Sequence, residues 1–155
     1  MDSAQAKTLA EWLEKTRWAN DFAWKELMEL AAYIRLDQYK PGDVISEEGS
    51  KDLSLMIICQ GKVQIIKHDV NLKPRLLTEL NAGQTVGEIA LVDGQPRSAT
   101  VKAVDQVVAL TLTRERFELI CNENPRLGIK VAMRLARLLS ARLRATTGAL
   151  SDYLH

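Results

Sequence analysis

The sequence predicts an α+β fold: an antiparallel β jelly-roll barrel or sandwich, flanked by N-terminal helices and a long C-terminal helix. Three observations carry this. Residues 33–113 are short β-like runs broken by turn signals at fairly regular spacing. Residues 6–32 repeat apolar side chains near the helical period, and so does the segment after Pro125. With 155 residues and 46% hydrophobic content, the chain suits one soluble globular domain with a real core.

The elements follow in order. Leu9, Trp12 and Leu13, then Phe22, Leu27 and Leu30, give two helical faces, with Asn20-Asp21 as the break and N-cap between them. Trp12, Trp18 and Trp24 all fall here, which reads as core or interdomain packing rather than a partner surface. Pro41-Gly42-Asp43, Glu48-Gly49, Gln60-Gly61, Ala82-Gly83 and Asp93-Gly94 mark turns. Between and after them the strand-like runs are Leu53–Cys59, Val63–Lys67, Leu76–Leu80, Thr100–Val104 and Val107–Leu112. Thr113 reads as the N-cap of a helix through Cys121, and Pro125 opens the last helix, which Gly148 is expected to stop near Thr147. The domain thus divides into 1–32 (helices), 33–113 (β-roll) and 114–148 (helices).

The segment Val86–Val101, V-G-E-I-A-L-V-D-G-Q-P-R-S-A-T-V, carries the chemistry. Gly87 permits close backbone approach, and the amides of Glu88, Ile89 and Ala90 open a short helix whose N–H groups and dipole favour an anion. Arg97 adds a planar, permanently charged fork matched to two phosphate oxygens. A carboxylate beside a phosphate, as Glu88 would be, is repelled unless it has another task, and accepting a hydrogen bond from a ribose hydroxyl is such a task.

This segment resembles the phosphate-binding cassette of the cyclic nucleotide-binding domain family, F-G-E-[LI]-A-L-x-x-x-x-P-R-[AST]-A-[TS]-V, with Val86 in place of the usual Phe. Tyr39–Gly49, Leu55–Val63 and Leu80–Gln84 resemble the family's earlier strands and turns in order, so the likeness runs from about Leu30 to Thr147. It implies a jelly roll that binds cAMP or cGMP without hydrolysing it. Arg97 would hold the cyclic phosphate, Glu88 the 2′-hydroxyl, and Ser98 would reach the phosphate by its amide or hydroxyl. Gly87, Ile89 and Ala90 would contribute backbone atoms, and Leu91 would couple the cassette to helix movement. R-L-R-A-T-T, ending in Thr146-Thr147, resembles the stretch by which the catabolite-activator branch contacts adenine, one residue from each subunit of a dimer. That favours cAMP and a homodimer through the last helix. A hydroxyl at Ser98 also suits a guanine, so cGMP stays open.

Other classes are disfavoured. A net charge of +1 gives no global reason to expect nucleic acid. Arg126, Lys130, Arg134, Arg137 and Arg144 form a basic stripe on the last helix, beside an apolar stripe of Leu127, Val131, Leu135, Leu138 and Leu139. The basic stripe reads as the solvated flank of a dimer helix rather than a DNA surface. Gly148–His155 is too short for a helix-turn-helix, so a regulator of this kind acts through a protein partner, or the chain is a piece of something longer. His68 and His155 are the only histidines, which leaves no metal cluster and no nucleophile-base set; the expectation is a non-enzyme. Cys59 and Cys121 read as two buried free thiols, and the N-terminus lacks a signal peptide's apolar core. With no run long enough to span a bilayer, a cytoplasmic protein is expected.

Overall fold

Leu55–Ile58 carries no polar residue because both of its faces are buried. In the computed structural model, which describes residues 1–154, this run lies in β3 (Ser54–Gln60), between β8 (Val107–Thr113) and the two-residue β6 (Thr85–Val86). β1 (Arg35–Tyr39) completes an antiparallel sheet of order β1-β8-β3-β6. Successive strand side chains point to opposite faces. Leu55 and Ile57, opposite Leu112 and Leu110, pack with the helices, while Met56, Ile58 and Ala109 join the core between the sheets.

The second antiparallel sheet has order β2-β7-β4-β5: β2 (Val44–Ser46), β7 (Thr100–Ala103), β4 (Val63–His68) and β5 (Pro74–Leu80). Val63, Val101 and Ala103 bring its inner face to the shared core. The two sheets form a jelly-roll-like pair rather than a hydrogen-bonded closed barrel. The strand-like runs of the sequence are all present; β1, β2 and β6 are additional.

The helices are α1 (Ser3–Glu14), α2 (Trp24–Ala31), α3 (Glu88–Asp93), α4 (Arg114–Glu123) and α5 (Pro125–Leu154), with a 3₁₀ turn at Arg17–Ala19. Thr113 caps α4 as expected, its hydroxyl accepting from the Arg116 amide at 3.2 Å. Four details differ from the sequence reading. The α1–α2 break holds Asn20-Asp21, but the N-cap of α2 is Ala23, whose amide donates to Glu26 at 2.8 Å. Helix α5 runs through Gly148 instead of stopping there. A glycine weakens a helix interior by about 1 kcal/mol and ends it only in the left-handed C′ conformation, which Gly148 does not adopt. Trp18 is buried and stacked on Phe22, but Trp24 is 41% exposed. Both cysteines are free; Cys59 is half-buried, its thiol pushed up to about 11 by burial, while Cys121 is exposed on α4.

Arg126 and Arg144 of the basic stripe on α5 are exposed, but its middle three members have partners in the N-terminal segment. Lys130 pairs with Glu26 at 2.6 Å, Arg134 Nε donates to the Trp18 carbonyl at 2.9 Å, and Arg137 pairs with Asp21 at 3.0 Å. The hydrogen bond from Lys130, then that from the Ala23 amide, holds the Glu26 carboxyl below its usual range. Each such partly exposed contact stabilises by roughly 0.2–1 kcal/mol. Burial of Leu127, Val131 and Leu135 on the neighbouring face contributes more, roughly 1.5–3 kcal/mol each. The first half of α5 is therefore fastened to the N-terminal helical segment.

Candidate functional site

The cassette is framed by two left-handed glycines, Gly87 (φ +89°) before α3 and Gly94 (φ +70°) after it. The first helical bond of α3 runs from the Leu91 amide to the Gly87 carbonyl, so the amides of Glu88, Ile89 and Ala90 have no acceptor within the helix. Ala90 and Leu91 are buried, Leu91 in the helix-side core, and Ile89 stands exposed.

Arg97 follows the turn after α3 and is only 6% exposed. Its backbone is locked to the β2–β3 turn: its amide donates to the Ser50 carbonyl and its carbonyl accepts from the Gly49 amide. Nη2 donates to the Ser54 carbonyl at 2.8 Å and to the Ser54 hydroxyl and Asp52 carboxylate at 3.3 Å. Gly87 makes room for this guanidinium, since a Cβ there would stand 2.0 Å from Arg97 Nη1 and 2.1 Å from the Ser54 oxygen. Burial pushes the Asp52 carboxyl up, but the Ser54 hydroxyl and the Arg97 guanidinium outweigh it and hold that carboxyl below its usual range. Arg97 Nε is buried without a hydrogen-bond partner among the described residues. Buried donors are normally spent, so a guanidinium with this N–H left over fits an anionic acceptor.

Glu88, the first residue of α3, is 3% exposed. Its carboxylate accepts from the Thr85 hydroxyl at 3.4 Å and forms an ion pair with Arg142 of α5. Arg142 Nη2 also donates to the Thr85 carbonyl at 3.1 Å. Burial draws the Arg142 guanidinium below its ordinary value, yet an arginine keeps its charge at any physiological pH.

Gly87, Glu88, Ile89, Ala90, Arg97, Ser98 and Arg142 line one cavity of about 510 Å³, whose apolar wall is Ile65, Leu80, Val86 and Val101. This size suits a small organic ligand. Ser98 is exposed at its edge, and its carbonyl accepts from Lys67 Nζ at 2.8 Å. Thr146 and Thr147 do not line the cavity: their hydroxyls donate to the Arg142 and Leu143 carbonyls of α5, and both residues are exposed. Sequence reasoning missed Arg142, Asp52 and Ser54. Arg142 opens the R-L-R-A-T-T stretch, one helical turn before Thr146, which was its only trace. Among the described residues no cluster of His, Cys, Asp and Glu is able to hold a metal, and no helix is long and apolar enough to cross a membrane. His155 lies outside the described residues.

Residues 36–124 match the model of the cyclic nucleotide-binding domain. The chain belongs to the cyclic nucleotide-binding domain family. It is 32% identical over 120 residues to the cyclic AMP receptor protein of Thermus thermophilus, covering 77% of this chain and 54% of that one. It is 35% identical over 94 residues to the acetyltransferase Pat of Mycolicibacterium smegmatis, covering 61% and 28%. A cyclic nucleotide-binding domain from Methylobacillus flagellatus superposes with a TM-score of 0.80 at 28% identity, covering 96% of this chain and 83% of that one. The chain thus spans from about a quarter to about half the length of these two curated relatives. Regulatory modules are the common setting of this domain, and Pat shows one carried by an enzyme.

Proposed function

We propose that this domain binds a cyclic mononucleotide, cAMP in preference to cGMP, as a non-catalytic cytoplasmic sensor whose output is the position of α5. The observation that carries the reading is the buried Arg97, seated under Gly87 with its buried Nε unpaired among the described residues, in the lining of the same cavity as the buried Glu88. The guanidinium and the α3 amides would neutralise the cyclic phosphate. Glu88 would accept the ribose 2′-hydroxyl, the one free hydroxyl of a 3′,5′-cyclic nucleotide. A ligand shifts α5 only by its differential affinity for the two helix positions, and Arg142 gives α5 a direct stake in the site.

The reading includes a homodimer. Ile129, Met133, Ala136, Ser140, Leu143, Thr147 and Leu150 are spaced alternately four and three along α5, and Ile129, Met133, Leu143 and Leu150 are exposed. This is the repeat of a two-helix seam. Thr147 lies within that row, so pairing with a second α5 is what would bring the Thr146-Thr147 hydroxyls to a bound base.

Calorimetric titration with cAMP and cGMP, after removal of co-purified nucleotide, tests this. Saturable binding, tighter for cAMP and weakened by about 2–5 kcal/mol in Arg97→Ala, is the expected result. Absence of heat with both nucleotides would overturn the reading.

A further inference from the structure

Two successive peptides at the exit of the cassette have their carbonyls tied to other parts of the β-roll. The Arg97 carbonyl accepts from the Gly49 amide at 2.8 Å, and the Ser98 carbonyl accepts from Lys67 Nζ at 2.8 Å. The N–H groups on the far edges of these peptides belong to Ser98 and Ala99, and neither has an acceptor among the described residues. Both residues line the cavity, and Lys67 does not. The peptides are trans, so each C=O and N–H point to opposite sides.

The lysine is itself placed by its surroundings. It follows Ile65 of the cavity wall by two positions on β4, so its side chain leaves the same face of the strand one step beyond that wall. Glu48, in the turn after β2, stands 3.7 Å from Lys67 Nζ and accepts from the His68 amide at 3.0 Å. Its own amide donates to Thr100 Oγ1 at 3.0 Å, so Glu48 ties the lysine, β4 and the start of β7 together.

We propose, building on the nucleotide reading above, that Lys67 is a positioning residue for the anion end of the site. By holding the Ser98 carbonyl away from the cavity it turns the Ala99 N–H into it, as a further donor to the cyclic phosphate. Lys67 itself touches no ligand. A backbone N–H brings no net charge to an anion, so its contribution depends on being aimed beforehand. A cyclic phosphate carries two exocyclic oxygens, and an N–H held in one direction serves one of them. The role of Lys67 is therefore read in which oxygen the protein prefers.

The test is calorimetric titration with cAMP and with the two diastereomers of its phosphorothioate, each having one exocyclic oxygen replaced by sulfur, a poorer hydrogen-bond acceptor. The unsubstituted protein prefers one diastereomer. Lys67→Met, which keeps the length and drops the donor, binds cAMP about threefold to tenfold more weakly, the weight of one hydrogen bond, and brings the two diastereomers about threefold closer in affinity. Lys67→Arg, which keeps a donor, retains most of the affinity and of the preference. Equal weakening of all three ligands in Lys67→Met, with the diastereomer ratio unchanged, would make Lys67 a diffuse charge or a structural contact and overturn the positioning role. Unchanged cAMP affinity in Lys67→Met, or no diastereomer preference in the unsubstituted protein, would overturn it as well, while leaving the nucleotide reading intact. Failure of the unsubstituted protein to bind cAMP would remove both.

Discussion

The two ends of the cavity are built from different parts of the molecule. The Arg97 corner belongs to the β-roll and its cassette: Arg97 is fixed by Ser54, Asp52, the β2–β3 turn and the missing side chain of Gly87. The Glu88 corner is borrowed, because Glu88 takes its charge partner from α5, 54 positions along the chain. One corner is held without any α5 side chain; the other includes one.

The strongest way to break this contrast is Gly87→Ala. The added carbon meets Arg97 and the Ser54 oxygen, in a backbone conformation that L side chains rarely adopt. We expect a loss of about 1–3 kcal/mol in stability by urea unfolding, together with loss of cAMP binding on the scale of Arg97→Ala. A variant that folds and binds normally would show that the arginine seat is not fixed. Next in size is a chain ended after Ser140, which removes Arg142 and leaves the Glu88 carboxylate without its charge partner. It should lose about 1–3 kcal/mol, and Glu88→Gln in the shortened chain should restore most of that. Equal stability of the two shortened chains would mean that the Glu88 corner does not depend on α5.

The smallest effect comes from pH. The Asp52 carboxyl is held low in the folded protein, so it binds protons more readily when unfolded. Its contribution is fully present above the ordinary carboxylate range of about 3.9 and is lost as pH falls through its lower native value. Acid unfolding curves of Asp52→Asn should be flatter than those of the unsubstituted protein over that acidic window. Parallel curves would place the acid sensitivity elsewhere.

The same division decides what could be read in the sequence. The cassette is contiguous, so Gly87, Glu88, Arg97 and Ser98 are legible in one short stretch, with their expected roles implied by its resemblance to the family's cassette. The apolar runs within Leu53–Cys59 and Val107–Leu112 announced strands, and the structure buries both faces of each. Arg97's partners Asp52 and Ser54 lie more than 40 positions away and become visible only when β3 is laid beside the cassette. Arg142 was hidden for the same reason, and the stripe containing Lys130, Arg134 and Arg137 was misread because their partners sit in the N-terminal segment. At Gly148 the local preference to stop a helix was weaker than the pull of the helix on either side. β6, two residues long, carries no periodicity at all.

The two thiols have a practical consequence. Cys59 is half-buried with its thiol pushed up to about 11, which leaves almost no thiolate at neutral pH to attack a maleimide. Cys121 stands exposed on α4, its sulfur against Gly128 at the first turn of α5. The unmodified chain therefore accepts a single dye or spin label where α4 meets α5, and angular changes between those helices become a spectroscopic signal without any engineered cysteine.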